Sequence, residues 1–87
     1  MKDEISKGGV NFASVSAREV FQNAIKKGAA GMILYHNHPS GDPTPSREDI
    51  SLTKRLIEAG KLLSIEIIDH IIIGDGKFIS LGREGLL

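Results

Sequence analysis

The chain has 87 residues, eleven of them Lys or Arg and eleven Asp or Glu, so it is formally neutral, and it contains no cysteine. Neutrality withholds the broad positive field that draws a protein to nucleic acid or an anionic membrane, and the lack of cysteine excludes disulfides and thiolate metal ligands. One domain at most fits in this length, with about 60–65% of the unfolded surface buried; no stretch matches a signal peptide or reaches the 18 apolar residues of a membrane span, so a soluble cytoplasmic protein is the expectation.

Residues 5–13 hold Gly8-Gly9 and the alternation Val10, Phe12, which predicts the end of a strand at a sheet edge whose partner is missing; such an edge would invite a homodimer. Ser16 is a good helix cap, and Glu19 three residues later completes a capping box. The spacing of Val20, Phe21, Ala24 and Ile25 predicts one buried helical face, with Lys26 and Lys27 in the last turn and Gly28 as the stop. Arg18 reads as a solvated charge on this helix. The run Gly31-Met32-Ile33-Leu34-Tyr35 is short, apolar and partly β-branched, and predicts a strand ending at His36.

Beyond His38 come Pro39, Pro43 and Pro45 around a Gly41-Asp42 turn, a loop stiffened by its prolines. Ser46 opens a second helix, predicted over residues 46–59, with Ile50, Thr53, Leu56 and Ile57 as its buried stripe and Gly60 as its stop. Lys54, Arg55 and Lys61 lie on its later turns without interleaved aromatics, which favours solvation over nucleic-acid contact. Residues 62–73 form the most β-like segment, with isoleucine on both faces, as expected of a central strand covered on each side. Gly74-Asp75-Gly76 is its turn, and residues 77–81 return as the second strand of a hairpin. Within that segment Asp69 and His70 point to opposite faces and cannot bind one ion together. Either both are hydrogen-bonded structural residues, or one of them orients a metal-binding histidine. The order of elements predicts an α/β or α+β sandwich, a mixed β-sheet flanked by two helices.

The stretch from His36 to Asp49 carries the chemistry. His36 and His38 at a strand end share a side, so two imidazoles can converge on one ion. Asp49 falls in the first turn of the second helix, where backbone amides favour the carboxylate. Two histidines, one aspartate and a water complete the coordination of a catalytic zinc, so His36, His38 and Asp49 are the expected ligands of one Zn2+ per chain. Another divalent first-row metal is compatible with the same donors. Taken alone, Ser46 and Asp49 would be read as a helix start and nothing more.

The spacing H-x-H, seven residues, S-x-x-D resembles the signature of the JAMM metallopeptidases, matched here by His36, His38, Ser46 and Asp49. The longer string from His36 to Ser46, with Ala17-Arg18-Glu19-Val20-Phe21 before it and Ile68-Asp69-His70-Ile71-Ile72-Ile73-Gly74 after it, is similar to the bacterial RadC family within that group, over essentially the whole chain. The resemblance implies a JAB/MPN-like, cytidine deaminase-like sandwich over residues 1–87 without its N-terminal strands. It also implies a zinc-dependent hydrolase of peptide or isopeptide bonds, and Ser46 as a stabiliser of the oxyanion. JAMM enzymes add an upstream glutamate as general base. Glu19 is explained by its capping box, which leaves Glu4 as a weak candidate, or a residue outside this chain. Two other readings follow: a zinc-binding scaffold without turnover, and the DNA-repair role suggested by the family's historical name, against which neutrality and scarce aromatics weigh.

Overall fold

Two capping boxes set where the helices start. In the computed structural model, which describes residues 5–6, 9–11 and 16–87, Ser16 Oγ accepts the Glu19 amide at 3.2 Å while the Glu19 carboxylate accepts the Ser16 amide at 3.0 Å. Ser46 and Asp49 repeat the arrangement at 2.9 Å in both directions. Each box satisfies two of the N–H groups that a helix start leaves unpaired. Helix α1 runs Ala17–Lys26 and α2 runs Arg47–Leu63.

Around them stand strands β1 (Ile5–Ser6), β2 (Gly9–Asn11), β3 (Gly31–Asn37), β4 (Glu66–Gly74) and β5 (Lys77–Ser80). They form one sheet in the order β1-β2-β3-β4-β5. The outer pairs β1–β2 and β4–β5 are antiparallel, and β2–β3 and β3–β4 are parallel, so the sheet is mixed and the fold α+β. The segment expected to be one edge strand is two short ones, with β2 paired on both sides; Phe12 and Ala13 lie outside the described residues.

One core joins both helices to one face of the sheet: Val20, Phe21 and Ala24 of α1, Leu56 of α2, Met32 and Leu34 of β3, Ile67 of β4, and Ile65 just before it. Ile25, expected on the inner face of α1, is 59% exposed. It stands one residue beyond Ala24, about 100° further round the helix, and turns away from the sheet. Helix α1 ends as predicted: Gly28 takes φ +68°, its amide bonds to Ile25 O, and the Ala29 amide bonds to Ala24 O, the pair of bonds that closes a Schellman turn.

The end of α2 differs from expectation. Gly60 does not stop the helix, which continues to Leu63 and turns at Ser64 in the left-handed region, φ 59°. Gly60 is glycine for another reason: a Cβ there would lie 2.2 Å from Ile65 O, because the chain folds back over it and the Ile65 amide bonds to Gly60 O at 2.8 Å.

Strand β4 carries an irregularity that the sequence pattern hides. Met32 pairs with Ile67, but Ile33 pairs with Asp69, so Ile68 is an extra residue on β4. A bulge of this kind reverses the alternation of all that follows. Ile65 and Ile67 face the helices before it, and His70 and Ile72 after it, all four buried. Coverage on both faces, expected from the isoleucines, is not found among the described residues: Ile68 is 55% exposed, and Ile33 and Ile73 are exposed beside it.

The Gly60 contact is testable. Gly60→Ala, which would help an open helix, is expected here to lower the unfolding free energy by about 2–3 kcal/mol, because the methyl meets backbone that cannot step aside. Urea unfolding followed by circular dichroism measures it; an unchanged or raised midpoint would contradict the close approach.

Candidate metal centre

The inward parity of β3, set by Met32 and Leu34, delivers His36 to the helix side of the sheet, 9% exposed. His38 stands one residue past the end of β3, yet its amide still bonds to Ile73 O of β4 at 2.9 Å, and so it keeps the side that His36 takes. The two rings lie 4.8 Å apart between centroids. Opposite them the first turn of α2 presents Asp49. His38 Nε2 is 3.2 Å from Asp49 Oδ2, and His36 Nε2 is 3.6 Å from Asp49 Oδ1. One ligand atom from each of the three residues falls within 4.8 Å of the others.

The loop between the histidine pair and α2 is held from both ends. Gly41, at φ +84°, closes a turn onto His38 O. Asp42 Oδ1 accepts the Thr44 amide and hydroxyl at 3.0 and 2.7 Å, which keeps its carboxyl below the usual range. The loop rests on the end of β4 at Gly74, where a Cβ would lie 2.3 Å from Gly41 O and 2.8 Å from Pro43 Cδ. Any side chain at position 74 would push the loop off the strand at Gly41 and Pro43.

Hydrogen bonds on the far side of each ring decide where its proton sits. His38 Nδ1 stands 2.9 Å from Asp42 O; a carbonyl only accepts, so Nδ1 carries a proton, and in the neutral ring Nε2 is then the lone pair. For His36 a longer chain gives the same answer. Thr53 Oγ1 donates to Asp49 O at 2.6 Å, and therefore accepts from His70 Nδ1 at 2.7 Å. His70 Nε2 is then an acceptor, and His36 Nδ1 donates to it at 2.9 Å. His36 also presents Nε2 as a lone pair toward Asp49.

Burial lowers the basicity of His36, partly offset by the charge of Asp49 and reinforced by His38. His70 is fully buried and is pushed down to about 4, by desolvation first and by the neighbouring His36 second. Asp49 loses solvation, which alone would raise its pKa; the Ser46 amide and hydroxyl, with His36 and His38, outweigh this and hold it below the ordinary carboxylate value. Both rings thus direct Nε2 at the Asp49 carboxylate while Nδ1 is committed to a partner behind the ring. Such a cluster can bind a metal ion. Two atoms each about 2.0–2.1 Å from a tetrahedral zinc stand about 3.3–3.4 Å apart; the observed separations, 3.2 Å to Oδ2 from His38 and 3.6 Å to Oδ1 from His36, are near that value, each to its own carboxylate oxygen.

The three residues expected to meet do meet, and Ser46 adjoins them as the cap of α2. Of the pair left open in β4, His70 turns to His36. Asp69 turns away: it accepts the Ser80 hydroxyl, the Gly82 amide at 2.9 Å and the His70 amide at 2.7 Å, tying down the chain after β5. Thr53, read from sequence only as part of a buried stripe, belongs to the hydrogen-bonded chain. A polar residue on the apolar face of α2, facing another on β4, was the one available signal. Glu4 lies outside the described residues, and Glu19 is held in the α1 capping box. Arg18, Lys54 and Arg55 are exposed, and Lys61 pairs with Glu58 at 3.0 Å in solvent.

The chain resembles known proteins over nearly its whole length. A family model described as the RadC-like JAB domain matches residues 1–86. The chain is 62% identical over 86 residues to a UPF0758 protein of Desulforamulus reducens. It is 61% identical over 84 residues to one of Syntrophomonas wolfei, and 58% over 83 to one of Caldanaerobacter subterraneus. These alignments take in 99%, 97% and 95% of this chain but 38%, 36% and 36% of the relatives. The chain therefore spans well under half the length of the curated relatives it matches.

His70 gives the site a pH signature. Its folded pKa, about 4, lies below the unfolded value of about 6.5, so between these the unfolded state binds more protons. Stability is fully present above about pH 6.5 and is lost as pH falls toward 4. We expect a loss of roughly 2–3 kcal/mol from His70 across that window, read by urea unfolding of chelator-treated protein at several pH values, and a shallower dependence in His70→Phe, where the depressed His36 still contributes. A flat profile in the unsubstituted chain would mean that His70 is not held neutral.

Proposed function

Because the chain belongs to the RadC-like JAB domain family, we propose that His36, His38 and Asp49 hold one zinc ion and that the domain is a JAMM-type metallohydrolase of peptide or isopeptide bonds. The observation that carries the reading is the grouping of one ligand atom from each of two imidazoles and a carboxylate within 4.8 Å of one another, with each ring's Nδ1 committed to a partner behind it. Two neutral ligands and one anion leave a dication with net positive charge, as an electrophilic site requires. When bound, the zinc supplies a Lewis acid that acidifies a water toward a pKa of about 7 and polarises a carbonyl.

The protein's own groups have separate tasks. His36, from β3, and Asp49, from α2, fix the site between two elements of one core, and His38 closes it from the loop. Ser46 accepts the Asp49 amide through Oγ at 2.9 Å and keeps a hydroxyl proton within reach of the Asp49 carboxylate. In this reading that proton goes to the substrate carbonyl oxygen as it gains negative charge. Among the described residues Asp49 is the one carboxylate in the cluster, and it serves as a ligand. The general base of this reading is then a carboxylate outside the described residues, with Glu4 the candidate in this chain.

Elemental analysis of protein purified without a metal-affinity tag tests the ligand set. About one zinc per chain is expected, and none in the double variant His38→Ala, Asp49→Ala. No metal in the unsubstituted chain, even after zinc is added back to folded protein, would end the hydrolase reading.

A further inference from the structure

The helix side of the sheet contains two polar side chains that touch no expected substrate or ion, Thr53 and His70, and both are 0% exposed. Burying a hydroxyl and an imidazole is costly unless each finds a partner. Both do so in one line that leaves Asp49 at its backbone carbonyl and arrives at His36 at its ring. We propose that Thr53 and His70 are positioning residues of the cation site, which fix His36 in the tautomer with Nε2 unprotonated and so keep it from satisfying Asp49 by itself. This inference rests on the reading of His36, His38 and Asp49 as ligands.

The alternative that the line excludes can be written out atom by atom. If Nε2 of His70 carried the proton, it would donate to His36 Nδ1, and the His36 proton would move to Nε2. That nitrogen faces Asp49 Oδ1 at 3.6 Å, so it would turn a proton toward the carboxylate and offer no lone pair to an ion. The Asp49 carbonyl forbids this. It takes the Thr53 proton at 2.6 Å, obliges Thr53 Oγ1 to accept from His70 Nδ1, and sends the remaining proton to His36 Nδ1. Asp49 thus controls His36 through its main chain while facing it with its side chain.

The sheet supplies the geometry for this. Leu34 pairs with His70, two residues before His36 on β3, because the extra residue Ile68 has shifted the register. Without that shift Asp69 would face the helices and His70 would face away. Thr53 follows Asp49 by four residues, one turn of α2, which is the spacing at which a threonine hydroxyl reaches a backbone carbonyl of its own helix. Two ligands from different elements are thereby coupled on their outer sides, the arrangement that raises ligand basicity and fixes ring orientation in metal sites.

The test uses Thr53→Val, which keeps shape and removes the hydroxyl, and Thr53→Ser, which restores it. Long-range proton–nitrogen spectra of cation-free protein report which nitrogen of each histidine carries the proton, and calorimetric titration with Zn2+ reports affinity. We expect His36 to be protonated at Nδ1 in the unsubstituted chain and in Thr53→Ser. Thr53→Val should show a share of His36 protonated at Nε2 and bind Zn2+ about 10–100-fold more weakly at unchanged stoichiometry. His36 protonated at Nε2 in the unsubstituted chain would overturn the inference whether or not Thr53→Val folds. Folded Thr53→Val with undiminished affinity would overturn it as well, since a merely structural hydroxyl changes stability and not binding. Failure of the unsubstituted chain to take up Zn2+ would remove the ligand reading and this inference together, so the two failures are distinct.

Discussion

Ile68 is one residue more than β4 needs to match β3, and the orientation of half the strand depends on it. Before this point the strand buries its odd positions, and after it the even ones, so the polar pair Asp69 and His70 is assigned to opposite duties. His70 is turned inward to meet His36 and Thr53, and Asp69 outward to gather Ser80 and Gly82. A regular strand would exchange them, placing a carboxylate against the back of an imidazole and a histidine beside the last turn. The bulge costs a ladder bond, and its return is that a buried imidazole stands behind His36.

The electrostatics of the site follow from which groups can only accept. Asp42 O and Asp49 O are carbonyls, and each ends a line of donors that runs outward from a histidine ring. In its neutral form each ring therefore turns an unprotonated Nε2 to the centre, beside a carboxylate that the hydrogen bonds of its own helix cap help to hold below the usual range. Acceptor facing acceptor is unfavourable in a partly dehydrated place. Backbone hydrogen bonds made elsewhere maintain the arrangement, and a small cation is the simplest partner for it.

Much of this was legible in the residues. Ser16 and Glu19, and Ser46 and Asp49, announce helix starts because capping is a local property, decided within four positions. His36, His38 and Asp49 could be grouped because strand parity and a capped helix fix where each points. What escaped depends on contacts distant in sequence. The bulge at Ile68 is defined by β3, not by β4, so a row of isoleucines conceals it. Gly60 looks like a stop until the returning chain at Ile65 is seen to occupy the space of its side chain. Thr53 looks like filler on a buried stripe until His70 is brought to it. Ile25 looks buried because helical spacing alone cannot say how wide a face the sheet will cover.

Asp49 is asked to do three things with one residue. Its amide and one carboxylate oxygen close the capping box with Ser46, its carbonyl anchors Thr53, and both carboxylate oxygens face the histidines. Whatever grips that carboxylate also grips the first turn of α2, and by reciprocity whatever frays the turn loosens the grip. Occupancy of the site and local unfolding of the helix are therefore opposite directions of a single equilibrium, and the start of α2 is where slow amide exchange would record a guest.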